Sequence, residues 1–250
     1  SEINFKSNCQ MKSKDQVNEL LNIEEYNNDL KNMNSLEIIE SAYKKFDKTL
    51  AFTTSFGIQS SVLLHLIQSS KLRGEVKIFW IDTGYLPSET YKYANKLIKL
   101  LSLNIEILQS EISPAHMEAI YGKLWEGNSP TDIDEYHKLR KIDPLEHALQ
   151  KYSIKCWGSG VRSQQTSNRK NMSYVDLIRG RISLRPLLGW SNKDIYYYMK
   201  DNDLPQHPLF NKGYSTVGDW HSSSPESDSK QGRKTRFNGI KEECGLHIDN

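Results

Sequence analysis

The stretch TLAFTTSFGIQSSVLLHLI (residues 49–67) passes from a β-branched and aromatic run, through a turn rich in Ser, Thr and Gly57, into an apolar helical pattern. A strand that runs through a tight polar loop into a helix is the opening half of a βαβ unit. A loop of backbone N–H groups and hydroxyls at a helix N-terminus favours an anion, because the unsatisfied amides and the helix dipole both attract negative charge. An ordinary strand-to-helix turn has the same pattern, and both readings stand at this point. The loop is neither a Walker loop nor a Rossmann fingerprint.

The same alternation continues outward. VKIFWID (76–82), NIEILQ (104–109) and IKCWGSG (154–160) are short runs with strand composition. Between them, SETYKYANKLIKLL puts Tyr91, Ala94, Leu97, Ile98 and Leu101 on one helical face, with Ser88 predicted as N-cap after Pro87. SNKDIYYYMKDN begins with a capping box of Ser191 and Asp194. Strands alternating with crossover helices predict an α/β fold: a doubly wound, mostly parallel sheet with helices on both faces and ligands at the carboxyl ends of its strands. Asp82 and Thr83 end the second strand beside the first loop.

Residues 1–48 read as an N-terminal helical extension, with a helical pair expected over 14–47 from Leu20, Leu21, Ile23, Leu36 and Ile39. Residues 49–221 form the α/β domain. From Ser222 the composition turns to Ser, Lys, Gly, Pro and Arg, which predicts a mobile tail over 222–250. With 250 residues, 37% of them hydrophobic, the whole is expected to be one structural domain.

Thirty-three basic residues against 31 acidic ones leave a net charge of +2, too balanced for the global footprint of a nucleic-acid binder. Any anion site must be local. Apolar runs such as Val76 to Ile81 are too short for a bilayer, and SEINFKSNCQ has no apolar leader segment, so a cytoplasmic protein without membrane attachment is expected. Three cysteines, at 9, 156 and 244, support neither a disulfide framework nor a zinc site. Basic residues recur among Gly, Pro and aromatics in four segments read as loops: YGKLW (121–125), RKIDP (140–144), GSGVRSQQ (158–165) and GRKTRF (232–237).

In chain order, SFGIQSS, DTGYLPSETY, YGKLWE, KIDPLEHAL, GSGVRSQQ, HPLFNKGYSTVGD and TRFNGIKEECGLH resemble the motifs of the phosphoadenylyl-sulfate (PAPS) reductase family, of the PP-loop or adenine-nucleotide alpha-hydrolase-like group. The similarity spans about residues 49–248, and the terminal ECGLH is its most specific part. The resemblance implies an oxidoreductase of sulfate assimilation and cysteine biosynthesis that reduces 3′-phosphoadenylyl sulfate to sulfite and adenosine 3′,5′-bisphosphate. Cys244 is implied as the nucleophile, forming an S-sulfonate that reduced thioredoxin or glutaredoxin resolves. A tail that folds over the nucleotide and reopens would give that thiol its two environments.

Carried over position by position, Lys141, Arg162, Arg233 and Arg236 match basic residues that contact the phosphosulfate and nucleotide phosphates. Which of them meets the sulfate and which the 3′-phosphate stays open. Ser55, Gly57 and Gln59 fall in the phosphate loop, and Asp82, Thr83 and Gly84 in the motif beside the adenosine. His247 is expected to bring a cationic imidazole to the thiolate or sulfate. Cys156 is expected to be a buried hydrophobe and Cys9 to have no role.

Relatives that reduce adenylyl sulfate carry paired cysteines for an iron–sulfur cluster where this chain has Tyr136, His137, Asp219 and Ser222. The cluster-free branch is therefore implied, with no metal or flavin and with a homodimeric assembly. ATP pyrophosphatases and adenylyltransferases of this fold use a Ser-Gly-Gly-x-Asp-Ser loop; here Phe56 and Gln59 replace its first glycine and its aspartate. A cluster-free adenylyl-sulfate reductase, an ATP-using enzyme and a catalytically idle nucleotide-binding module remain the alternatives.

Overall fold

The computed structural model describes residues 23–72, 74–239, 241 and 243–247. Two helices come first, α1 (Ile23–Leu30) and α2 (Ser35–Phe46). Asn34 and Glu37 close a reciprocal capping box at the start of α2, satisfying two of its free amides. The rest of the helical pair expected from residue 14, and Cys9, lie outside the described residues.

Then follow β1 (Leu50–Thr54), α3 (Ser60–Ser69), β2 (Lys77–Ile81), α4 (Ser88–Leu101) and β3 (Ile105–Leu108). After them come α5 (Pro114–Tyr121), α6 (Pro130–His137), α7 (Asp143–Lys151), β4 (Cys156–Gly158), β5 (Val175–Ile178), β6 (Arg181–Leu184) and α8 (Asn192–Asp201). The six strands lie in the order β3-β2-β1-β4-β6-β5, and every pair is parallel except β5 with β6. From β1 the chain winds outward to β2 and β3, then returns to the other side of β1 for β4 and β6. That reversal opens a crevice beyond the carboxyl ends of β1 and β4.

Alternation along the strands sorts the core into two layers. Leu50, Phe52, Ile78, Trp80 and Cys156 face a large apolar cluster shared with α1 to α4 and α8. Ala51, Phe79 and Trp157 face the other side, where Leu145, Ala148 and Leu149 of α7 cover them together with Leu246 of the C-terminal segment. The capping box of Ser191 and Asp194 forms as expected. Ser88 does not cap α4: Pro87 occupies the extended cap position without a side-chain bond, and the Ser88 hydroxyl turns to Glu89 within the first turn.

Two further departures bear on the site. RKIDP is not a loop. It joins α6 to α7 through a π-helical turn, Lys138–Ile142, in which the Asp143 N–H donates to the carbonyl of Lys138. Pro144 has no N–H to continue the ordinary ladder, and the wider turn absorbs that break while the helix runs on. In the tail that its composition marks as mobile, Thr235, Arg236, Phe237 and Glu243 are buried.

Gly158 in β4 has no room for a side chain, since a Cβ there would stand 2.3 Å from Cε1 of the fully buried Phe52 ring. Gly158→Ala should therefore lower the unfolding free energy by about 1–3 kcal/mol through overpacking. Urea denaturation measures it, and an unchanged midpoint would contradict the close packing of β1 on β4.

Candidate active site

The crevice at the switch point encloses a cavity of about 350 Å³. Its floor is the β1–α3 loop, Ser55 with Gly57 to Ser60, which delivers the N-terminal end of α3. Phe56 holds a left-handed backbone (φ 50°), the conformation a glycine takes at no steric cost, while its ring is fully buried edge-on to Trp80. The loop thus keeps a glycine-like turn although a large side chain stands at the first glycine of the Ser-Gly-Gly-x-Asp-Ser pattern.

Among the described residues, Lys141, Arg162, Arg169, Arg233 and Arg236 line this cavity, against the carboxylates Asp219 and Glu226. Among the described residues, buried Arg162 is bonded only to uncharged acceptors: Gln59 Oε1 at 2.5 Å, Asn192 Oδ1 at 2.8 Å and the Trp190 carbonyl at 3.1 Å. Burial, with the nearby Arg169, pulls its pKa down to about 10. Burial does the same to Arg233, lowering it to about 10, with Arg169 and Arg236 adding to the effect. Arg236 is lowered by burial and partly restored by Asp219. Its guanidinium lies against bare backbone: a Cβ on Gly218 would come 2.0 Å from it. Ser159 Oγ, Arg162 Nε, Ser215 Oγ, Arg236 Nε and His247 Nδ1 are buried in the cavity wall with no hydrogen-bond partner among the described residues. Concentrated cations and unpaired polar groups in one enclosure describe a receptor for a polyanion.

The C-terminal segment closes one side. Cys244 is a free, half-buried thiol on the cavity wall. Arg233 and Arg236 line the same wall, and the Cys244 sulfur is among the groups that partly offset the lowering of their pKa values by burial. The preceding Glu243 is buried and held by Arg169 in a two-pronged ion pair, Nε–Oε1 and Nη2–Oε2 each 2.9 Å, with Thr166 Oγ1 donating at 2.9 Å. Burial pushes the Glu243 pKa up, but the Arg169 bonds outweigh it and leave the carboxyl below its usual value.

His247 also lines the cavity, its ring stacked on Trp157 at 5.6 Å. The expected imidazolium is not what its surroundings favour. Burial and then Arg169, Arg185, Arg233 and Arg179 hold its pKa well below 6.5, so the ring is a neutral hydrogen-bonding group.

Ser55, Gly57, Gln59, Thr83, Lys141, Arg162, Arg233, Arg236, Cys244 and His247 thus meet in one enclosure. Asp82 and Gly84 stand behind its wall. Asp82 is occupied by the Gly84 N–H (2.9 Å), Tyr91 Oη (2.6 Å) and Gln109 Nε2 (3.1 Å), which together fix the turn after β2. Gly84 has φ 79°, and a Cβ would meet Pro114 at 2.6 Å. Buried Arg140 completes that turn, donating to the Thr83 carbonyl from Nε and Nη2.

Sequence reasoning missed Arg169, Glu243 and the polar knot beside the cavity. There Asp219 is fully buried and receives Thr83 Oγ1 and Tyr136 Oη (2.6 Å), and Tyr136 also meets His221 Nε2 at 2.9 Å. Trp125 stacks on His221 at 4.4 Å, and Tyr85 and Phe237 fill the rest.

A model of the phosphoadenosine phosphosulfate reductase domain matches residues 49–225. Over 230 residues the chain is 49% identical to the phosphoadenosine 5′-phosphosulfate reductase of a Synechococcus strain, covering 92% of this chain and 98% of that protein. Its similarity to the Vibrio cholerae protein of the same name is 37% over 233 residues, with 93% and 91% covered. The solved structure of phosphoadenylyl-sulfate reductase from Candida auris, a phosphate complex, matches with a TM-score of 0.70 at 26% identity, over 81% of this chain and 96% of that one. FMN adenylyltransferase of Candida glabrata shares the fold alone, with a TM-score of 0.55 at 13% identity over 79% of this chain and 65% of its own.

Four histidines titrate well below their ordinary value, chiefly through burial: His137 near 2, His207 and His221 near 4, and His247 well below 6.5. A base whose folded pKa is depressed binds its proton more tightly in the unfolded chain, so stability falls as pH drops below about 6.5. Each group contributes about 1.4 kcal/mol per pH unit until its own folded pKa is reached. Urea midpoints between pH 7.5 and 4.5 should fall steeply, and His221→Asn should flatten the slope by about one proton. A stability independent of pH over that window would contradict the burial of these rings.

Proposed function

Because the chain belongs to the phosphoadenosine phosphosulfate reductase family, we propose that it reduces 3′-phosphoadenylyl sulfate in sulfate assimilation with Cys244 as its nucleophile. The observation that carries this reading is Cys244 itself. It stands on the wall of a cavity lined by Lys141, Arg162, Arg169, Arg233 and Arg236, where an anionic nucleotide would meet it.

In the first half-reaction the Cys244 thiolate attacks the sulfur of the phosphosulfate. An S–S bond forms, the S–O bond to the 5′-phosphate breaks, and the electron pair leaves on that phosphate, giving adenosine 3′,5′-bisphosphate. Lys141, Arg162, Arg233 and Arg236 neutralise the phosphates and the charge that builds on the leaving oxygen. The α3 N-terminus and the β1–α3 loop hold one phosphate. His247, neutral, offers a ring nitrogen to the transferring group.

In the second half-reaction a reduced protein dithiol of the thioredoxin or glutaredoxin kind attacks the Cys244 sulfur. The S–S bond breaks and its electron pair leaves on sulfite. The second thiol of the donor then attacks the mixed disulfide and frees Cys244, so the donor's two electrons end on the released sulfite. Among the described residues the only other cysteine, Cys156, is fully buried with its thiol pKa pushed up by burial, which supports an external reductant. Consumption of a reduced dithiol suits the cytoplasm. No helix among the described residues is long and apolar enough to cross a membrane.

The enzyme works without an iron–sulfur cluster. In support, Tyr136, His137 and Asp219 are buried side chains of the knot beside the cavity, and Ser222 is buried next to it. None of the four is a thiol.

Incubation with 3′-phosphoadenylyl sulfate and no reductant should add one sulfonate to the peptide carrying Cys244, read by mass spectrometry. Cys244→Ser should lower sulfite release by on the order of 10³-fold or more while leaving adenosine 3′,5′-bisphosphate affinity within about twofold. Sulfite formation by Cys244→Ser at the wild-type rate would overturn the assignment.

A further inference from the structure

The hairpin joining β5 to β6 turns through Arg179 and Gly180, between the paired residues Ile178 and Arg181. Both central residues have positive φ, 49° for Arg179 and 80° for Gly180. This is the backbone of a two-residue primed turn, where Asn-Gly is the favoured pair. An arginine rarely adopts this left-handed conformation, and a residue kept in a disfavoured backbone points to a task for its side chain.

The side chain meets the C-terminal segment. Arg179 Nη1 donates to the carbonyl of Gly245 and Nη2 to that of Leu246, each at 3.1 Å. Its Nε donates to Glu146 Oε1 on α7 at 2.7 Å, while Arg181 Nη1 takes Glu146 Oε2 at 2.6 Å. Glu146 therefore aims the guanidinium from behind, and the two forward N–H groups grip the two residues that follow Cys244. Two further arginines hold the same segment: Arg169 through the Glu243 carboxylate, and buried Arg185, whose Nη2 lies 3.4 Å from the His247 carbonyl. Arg179 and Arg185 are not part of the cavity wall.

We propose that Arg179, aimed by Glu146, is a positioning residue whose grip on the Gly245 and Leu246 carbonyls holds the Cys244 sulfur over the cavity for attack. The inference rests on Cys244 being the nucleophile. It extends the working machinery to the far edge of the sheet, through contacts with backbone carbonyls rather than with any ligand. A planar guanidinium with three N–H directions can serve Glu146 and two carbonyls at once, which an ammonium cannot do in the same geometry.

The deciding variant is Arg179→Asn. Asparagine is the residue the turn itself favours, so the fold should keep or raise its melting temperature. Three measurements then separate positioning from scaffolding. Formation of the Cys244 S-sulfonate in a single turnover should slow by about 10- to 100-fold, the scale expected when a reacting atom is misplaced by about an ångström. Adenosine 3′,5′-bisphosphate should bind within about twofold of wild type, because no cavity residue has changed. In nucleotide-free protein an aromatic disulfide should label the Cys244 peptide about tenfold faster, as the segment leaves its seat. Arg179→Lys should recover only part of the rate, and Glu146→Gln, which leaves the turn backbone untouched, should show the same pattern more weakly.

An Arg179→Asn protein that forms the S-sulfonate within twofold of wild type would overturn the proposal. Absence of the adduct in wild type would overturn the nucleophile assignment instead, and the labelling rate would still judge the grip: unchanged labelling in both variants would remove it.

Discussion

Burying a guanidinium without a bonded carboxylate is the constraint around which this molecule is arranged. Arg162, in the segment that follows β4, has only amide and carbonyl oxygens as acceptors among the described residues, and Arg236 presses on bare backbone at Gly218. Each is desolvated enough to lose part of its preference for the charged form. Such a site is costly when isolated and favourable once a multiply charged anion enters, so the fold stores binding energy in its unliganded walls. Much else serves that arrangement: the reversal of winding at β1 and β4 that opens the crevice, the π turn that carries Lys141, and the backbone turns that admit bulky side chains without closing the space.

The sequence disclosed the parts whose cause is local. The β1–α3 loop could be read because a strand, a small-residue turn and an apolar helix follow one another directly, and the capping box of Ser191 and Asp194 because its two partners are three residues apart. The fold class followed from the same local alternation. Where the cause is remote, the reading stopped. RKIDP reads as a loop, yet a single i→i+5 hydrogen bond carries the helix past Pro144. The β5–β6 hairpin is short, and its turn carries Arg-Gly where a turn reading looks for Asn-Gly. Asp82 and Gly84 had been grouped with the ligand-binding set because they sit in a motif. Their hydrogen bonds and steric limits instead serve the turn that presents Thr83. Arg169 and Glu243 left no signal at all, since two charges 74 residues apart show their pairing only after folding.

The C-terminal segment shows the same division. Its composition, rich in Ser, Lys, Gly and Arg, reads as chain with too little apolar surface to order itself. Its described residues are held in part by arginines that belong to the rest of the molecule: Arg169 on Glu243, Arg179 on Gly245 and Leu246, and Arg185 on His247. Phe237 enters the aromatic cluster around Tyr136, Leu246 caps the α7 face with Cys244 packed beside it, and Glu243 between them is held by Arg169 and Thr166. His247 follows from this setting: among so many guanidinium groups a second cation would be repelled, so the ring is neutral and can donate or accept.

This construction suits a thiol with two successive partners. The first half-reaction proposed for Cys244 needs the sulfur inside a cationic enclosure, and the second needs it within reach of another protein, so the segment must be able to leave without dismantling the anion site. Phe237 is anchored in the core, and immediately after it Asn238 and Gly239 both have left-handed backbones, φ 52° and 80°. A pivot at that point would carry Glu243 to His247 away while Arg233 and Arg236, which precede it, stay on the cavity. Among the described residues the bonds to be broken run from Glu243, Gly245, Leu246 and His247 to Thr166, Arg169, Arg179 and Arg185, each worth about 1–3 kcal/mol at most with a charged partner. A cavity that keeps its cations while it surrenders its thiol can bind the next nucleotide before the tail returns, whereas a cysteine on a rigid strand would force the protein donor into the nucleotide's own space.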